Sequence, residues 1–124
     1  MVIMRIMGGL GNQLACFAFG YTISNYLNQP LVLDISHYKW GYFREFLLDN
    51  LTLPKYEKIY YDLGDNNPFY LESLSLAIIN AVDCIVDSEK ISNREELLHE
   101  IDGHQNVYAC SCPSYRFFAG RMGK

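Results

Sequence analysis

The sequence predicts an α/β domain built on a mainly parallel sheet. Two short apolar runs, residues 2–7 and 31–35, have the length and composition of buried strands. Residues 12–27 lie between them and show helical spacing of their apolar side chains. A strand, a helix and a second strand in this order form a βαβ unit, because parallel strands need a crossover connection. Strand and helix patterns alternate along the rest of the chain, which favours the same fold class.

A glycine-rich turn separates the first predicted strand from the first predicted helix. Residues 8–14 read GGLGNQL. Glycine permits a positive φ and close approach to the backbone, and the N-terminus of a helix attracts anions. The turn therefore predicts a site for a phosphate-bearing ligand such as a nucleotide. A glycine turn with a purely structural role is the alternative that these residues leave open.

The same turn is an incomplete match to the dinucleotide-binding pattern G-x-G-x-x-G. Leu14 occupies the position of the third glycine. Asp34 lies at the end of the second predicted strand, where dinucleotide-binding domains place the acid that binds a ribose hydroxyl. A dinucleotide-binding domain with Asp34 on the ribose is thus a further alternative.

The remaining elements follow in order along the chain. Residues 36–54 are aromatic and irregular, and residues 56–68 are predicted as a loop that ends with the breaker sequence GDNNP. Ser92 and Glu95 form a capping-box pattern, which starts a helix that runs to about Glu100. The other predicted elements are a helix at residues 70–81 and strands at residues 83–87 and 107–112.

The composition favours one packed domain and does not favour a nucleic-acid-binding or membrane-spanning protein. The 124 residues are half hydrophobic and 15% aromatic, which suits one packed domain. The net charge of −4 and the lack of a basic run do not favour a nucleic-acid-binding surface. No stretch approaches the roughly 18 consecutive apolar residues that cross a bilayer, although loose association with a membrane surface stays open.

The cysteines point to a reducing compartment and not to a metal site. They are interpreted as buried thiols of a cytosolic protein. The C-x-C pair has no second pair at zinc-like spacing, so no metal is expected. The four cysteines are Cys16, Cys84, Cys110 and Cys112.

Read with its flanks, the glycine turn resembles the N-terminus of the α-1,2-fucosyltransferases, glycosyltransferase family 11. Residues 8–14, followed by FAFG at residues 17–20, are similar to the family's glycine turn and first helix. Residues 33–36 (LDIS) and 43–51 (FREFLLDNL) look like its second strand and its R-E-Y-x-L-D-N-F-like segment. The resemblance continues in VY at residues 107–108 and YRFF at residues 115–118, so it covers most of the chain in order.

The chain departs from the family pattern in composition and in length. Residues 15–17 (ACF) replace a phenylalanine, a glutamine and a tyrosine, and residues 109–113 lack the usual glycine, aromatic and glutamine. The downstream H-x-R-x-G-D motif, whose arginine stabilises the leaving diphosphate, does not occur in these 124 residues. Family members have two Rossmann-like halves in a GT-B-like arrangement. The resemblance therefore implies that residues 1–124 are a single N-terminal Rossmann-like domain, truncated before the donor-binding half and inactive by itself.

The resemblance also implies a reaction. The whole enzyme would transfer L-fucose from GDP-fucose to the 2-hydroxyl of a galactoside with inversion, which requires activation of the acceptor and stabilisation of the departing GDP. Arginine and backbone N–H groups would supply that stabilisation, so neither a metal nor a cofactor is implied. The setting would be cytoplasmic, at the inner face of a bacterial membrane, in surface-polysaccharide assembly. The acceptor glycan, the oligomeric state and the catalytic residues are not assigned.

The residues that match the family's turn are the implied donor-binding residues. Asn12 is the first choice for contact with the diphosphate or the fucose, because its amide both donates and accepts. An N-capping role for Asn12 is the alternative. The implied set is Gly9, Gly11, Asn12 and Gln13.

The polar residues of the second motif segment are expected to hold a loop together and not to do chemistry. They are Arg44, Glu45, Asp49 and Asn50. Two further functions stay open: a nucleotide-binding module without enzymatic activity, and a non-functional remnant whose uncovered sheet would aggregate.

Overall fold

The computed structural model describes residues 1–39, 44–59 and 82–111, and within these ranges it has one five-stranded sheet. Every strand pair is parallel, and the strand order is β3-β2-β1-β5-β4. The strands are β1 (Val2–Arg5), β2 (Leu31–Asp34), β3 (Glu57–Ile59), β4 (Cys84–Asp87) and β5 (Val107–Cys110). The α-helices of the described ranges are α1 (Leu10–Leu27) and α2 (Arg94–Ile101). The predicted α/β class with a parallel sheet is confirmed.

The two faces of the sheet carry separate apolar clusters, because successive residues of a strand point to opposite faces. On one face, α1 packs against β1, α2 packs against α1 and β4, and the side chains Met4, Phe19 and Leu97 are fully buried. On the other face, Ile3 and Tyr108 lie at the centre of a smaller buried cluster. The sheet thus has an apolar interior on both sides, as its nearly continuous apolar strands predict.

Close contact between α1 and β1 depends on Gly20. A Cβ atom at this position would lie 2.6 Å from the Cβ of Met4. The helix can therefore pack directly against the central strand, which fixes its N-terminus beside the carboxyl end of β1.

Most predicted elements are present with bounds shifted by one or two residues. β1 ends at Arg5, and α1 begins at Leu10 rather than at residue 12. The strand predictions at residues 83–87 and 107–112 are confirmed as β4 and β5. The predicted helix at residues 70–81 lies outside the described residues.

Two of the predictions were wrong in detail. Residues 57–59 form β3 and not a loop; β3 pairs with β2 in parallel register. The N-cap of α2 is Asn93 and not Ser92, since the Asn93 side chain accepts a hydrogen bond of 2.8 Å from the backbone N–H of Glu96. The start of the helix therefore lies one residue later than the capping-box pattern indicates.

Candidate functional site at the glycine turn

The glycine turn lies at the carboxyl end of β1, the central strand of the described sheet. Gly8 makes the turn with φ +80°, a conformation that side chains other than glycine's rarely adopt. Gly9 then takes extended backbone as the N-cap of α1. In open parallel sheets, ligands bind outside the carboxyl ends of the strands. The turn therefore occupies the position in which this architecture places a ligand.

The N-terminus of α1 has the electrostatic properties of an anion site. Among the described residues, no side chain caps it, and its first turn holds no acidic residue. The first intrahelical bond runs from the Gln13 N–H to the Gly9 carbonyl, at 2.8 Å. The N–H groups of residues 10–12 precede that bond and have no helical acceptor, so the positive end of the helix dipole faces outward there.

Gly11 and Asn12 lie exposed on this turn. Space around Gly11 is open, since a Cβ atom there would meet no atom within 4 Å. The Asn12 side chain folds back over Gly8, where an added Cβ would lie 2.5 Å from its Nδ2 atom. Gly9 is the N-cap, so the alternative that Asn12 caps the helix was wrong.

Gln13 lies behind the turn and not on its surface. Its side chain is 0% exposed. Nε2 donates to the carbonyl oxygens of Gly8 (3.1 Å) and Glu45 (2.7 Å), and Oε1 accepts from the N–H of Leu47 (2.8 Å). Both amide N–H groups are therefore engaged by backbone, and Gln13 joins the turn to the segment at residues 44–47.

Arg44 brings a cation to the same place. The Arg44 side chain lies beside Gly9, where an added Cβ atom would lie 2.5 Å from its Nη1 atom. The Arg44 side chain is exposed. A guanidinium group and the N-terminus of a helix thus lie side by side near the carboxyl end of β1, and both favour a negatively charged ligand.

Asp49, in the second motif segment, holds that segment in place. Asp49 accepts a hydrogen bond of 2.7 Å from the Tyr56 hydroxyl and pairs with the ammonium group of Lys58. The hydrogen bond from Lys58, followed by that from Tyr56, lowers the pKa of the Asp49 carboxyl. Leu48 is fully buried beside α1. These contacts fasten the segment to β3 and to the core.

Asp34 does not lie where it would bind a ribose. It is 2% exposed, its Oδ2 atom accepts a 2.7 Å hydrogen bond from the Tyr108 hydroxyl, and its Oδ1 atom accepts one of 3.0 Å from the N–H of Ser36. Arg5 is its partner in the register of β1 and β2. The carboxylate is thus part of an internal polar network, which argues against the dinucleotide-binding alternative.

His37, which is buried, and Tyr38, which is half-buried, follow this network along the chain. Burial, reinforced by the charge of Arg5 and opposed by Asp34, lowers the pKa of His37 to about 4. The Tyr38 hydroxyl donates to the Gly8 carbonyl at 2.8 Å, and its ring packs edge-on against His37. Tyr38 and Gln13 therefore both bind the backbone of the turn at the Gly8 carbonyl. The aromatic composition of residues 36–54 did not indicate this role for Tyr38.

The described ranges contain no candidate metal centre, and they hold three of the four cysteines. Residues 1–39, 44–59 and 82–111 contain no group of three or more His, Cys, Asp or Glu side chains that could hold a metal ion. Cys84 and Cys110 are free thiols, and burial raises the pKa of both; Cys16 is buried. Cys112 lies outside the described residues.

Across the part of the chain that is described, no helix has both the length and the apolar character needed to cross a membrane.

Comparison of the chain with protein-family models, with curated proteins and with solved structures finds no match. A functional assignment therefore rests on the motif residues and on the geometry of the turn.

Proposed function

We propose that this chain is the N-terminal, Rossmann-like part of an α-1,2-fucosyltransferase, which transfers L-fucose from GDP-fucose to the 2-hydroxyl of a galactoside. The proposal rests on the resemblance of residues 8–14 and 43–51 to that family. One observation supports it most directly: these two segments, far apart in sequence, touch through Gln13, whose amide binds the backbone of Glu45 and Leu47.

In this proposal the diphosphate of GDP-fucose lies at the N-terminus of α1. The outward N–H groups of residues 10–12 face its negative charge, and the Asn12 amide contacts the diphosphate or the fucose. Gly11 leaves the backbone open to close approach, whereas the missing side chain of Gly9 gives room to the Arg44 guanidinium group. Negative charge grows on the departing GDP during transfer, so fixed donors at this place would stabilise the transition state.

The proposal assigns donor binding, and not turnover, to these residues. The family's H-x-R-x-G-D arginine has no counterpart in the sequence, and no acid or base is assigned. The galactoside acceptor, a cytoplasmic setting and surface-polysaccharide assembly belong to the proposal through the resemblance. A non-catalytic nucleotide-binding module would use the same turn, and it would bind GDP without transferring fucose in the presence of any acceptor.

Two exposed asparagines on α1 make a matched test. Asn12 lies at the turn, whereas Asn25 lies near the other end of the same helix. A hydrogen bond to a charged group is worth roughly 1.5–3 kcal/mol, so Asn12→Ala should weaken GDP binding by about 10- to 100-fold in a calorimetric titration. Asn25→Ala should leave GDP affinity unchanged. Equal affinity of all three proteins, or no saturable binding, would overturn the proposal.

A further inference from the structure

The segment that follows residue 43 returns to the glycine turn, and Gln13 is the residue that holds it there. Its side-chain hydrogen bonds to Gly8, Glu45 and Leu47 all end on backbone atoms. One reaches Gly8 in the turn, and the others reach Glu45 and Leu47 in the returning segment. Because the side chain is fully buried, it acts on the turn from the inside.

The chemistry of these bonds requires an amide. The Gln13 side chain donates to two carbonyl oxygens and accepts from one N–H group. A carboxylate only accepts, and a hydrocarbon side chain of the same length does neither. A buried carbonyl or N–H group left without its partner costs free energy, so the position selects glutamine.

Arg44 directly precedes the residue that Gln13 fastens. The position of the backbone at residue 45 therefore fixes the position of the Arg44 Cα atom, from which the side chain extends. The guanidinium group lies over Gly9, with Cδ and Cζ of Arg44 each 3.3 Å from the position of an added Cβ. The missing side chain of Gly9 gives the guanidinium group room beside the end of the helix. A planar guanidinium fork matches two oxygens of a phosphate group.

We infer that Gln13 is a positioning residue and that Arg44 is the side chain it positions, so that Arg44 binds the diphosphate beside the N-terminus of α1. This inference rests on the proposed function, since the diphosphate is that of GDP-fucose. It changes the role of Gln13, which the family resemblance places among the donor-binding residues, from direct contact to support. It also gives Arg44 a binding role that the resemblance does not assign.

A double-mutant cycle read by GDP calorimetry on the full 124-residue chain tests this coupling. Arg44→Gln removes the cation, and Gln13→Met keeps the side-chain length while removing every hydrogen bond. Each single variant should lose about 10- to 100-fold in GDP affinity. The double variant should lose clearly less than the sum of the two single losses, because a displaced Arg44 and a missing Arg44 are equivalent and the part of the Gln13 effect that acts through Arg44 is lost only once.

Tyr38→Phe is the control, since it removes the other hydrogen bond to the Gly8 carbonyl and leaves the bonds to residues 45 and 47 intact. Its effect on affinity should add to that of Arg44→Gln. Additive losses for Gln13→Met, or the same coupling for Tyr38→Phe, would overturn the inference. So would an unchanged affinity in Arg44→Gln, an exposed substitution that decides the question even if Gln13→Met does not fold. A failure of the unsubstituted chain to bind GDP would overturn the proposed function and the inference together.

Discussion

The Tyr108 hydroxyl donates a 2.7 Å hydrogen bond to the Asp34 carboxylate, and both side chains are at least 98% buried. The bond joins β5 to the carboxyl end of β2 across β1. It uses one oxygen of the carboxylate, while the Ser36 N–H binds the other. The acid that a dinucleotide-binding domain would offer to a ribose is thus committed to the interior of this sheet.

Tyr108→Phe should therefore lower the free energy of unfolding by about 1–3 kcal/mol, because it leaves a buried carboxylate oxygen without its donor. Urea denaturation measures this change. Tyr26→Phe is the matched control, since the Tyr26 hydroxyl binds Asp102 at the exposed surface. It should have no measurable effect. Equal effects of the two substitutions would show that the buried bond does not stabilise the sheet.

Two glycine substitutions in α1 should affect stability differently, because Gly20 packs against Met4 whereas Gly11 faces open space. Gly20→Ala places a methyl group against Met4 and should destabilise the protein by about 1–3 kcal/mol through overpacking. Gly11→Ala meets open space and should leave stability unchanged or raise it by up to about 1 kcal/mol, because alanine favours the helix. Thermal unfolding of the two variants compares them. A Gly20→Ala variant as stable as the unsubstituted chain would contradict the close packing of α1 on β1.

Single substitutions can test whether Asn93 or Ser92 is the N-cap of α2. Asn93→Ala should cost about 1 kcal/mol of stability, since its side chain accepts from the Glu96 N–H. Ser92→Ala should cost nothing measurable. Urea unfolding of both variants decides between the two cap positions, and a larger loss for Ser92→Ala would restore the capping box that the sequence pattern indicates.

The burial of His37 should make stability depend on pH. Its pKa is lowered in the folded protein to about 4, so between about pH 6.5 and pH 4 the unfolded chain binds a proton that the folded protein does not. Stability conferred by His37 is therefore complete above this window and is lost as the pH falls through it. Urea unfolding at a series of pH values should show this loss.

His37→Gln should reduce the slope of stability against pH in that window. The same substitution at the exposed His99 is the control, and its slope should match that of the unsubstituted chain. An unchanged slope in His37→Gln would mean that the His37 imidazole takes up its proton without unfolding the protein.

Features fixed by local sequence were predictable, whereas those fixed by distant partners were not. The βαβ unit and the position of the glycine turn follow from apolar periodicity and from glycine itself. β3 was missed because its exposed Glu57 and Lys58 give no apolar signal; its pairing with β2 makes it a strand. Gln13 belongs to the predicted site, but its partners Glu45 and Leu47 lie more than 30 residues away, so the sequence did not reveal that it is buried.

If the glycine turn binds a diphosphate, Gly11→Ala should weaken that binding without disturbing the fold. The substitution adds one methyl group to the exposed surface of the turn and touches nothing else within 4 Å. Calorimetric titration with GDP should show saturable binding by the unsubstituted chain. The Gly11→Ala variant, at least as stable as the unsubstituted chain, should bind GDP at least about 10-fold more weakly, because the methyl group keeps the phosphate from the backbone N–H groups. Equal affinity of the two proteins, or no binding by a folded unsubstituted chain, would contradict the account and leave the glycines as a structural turn.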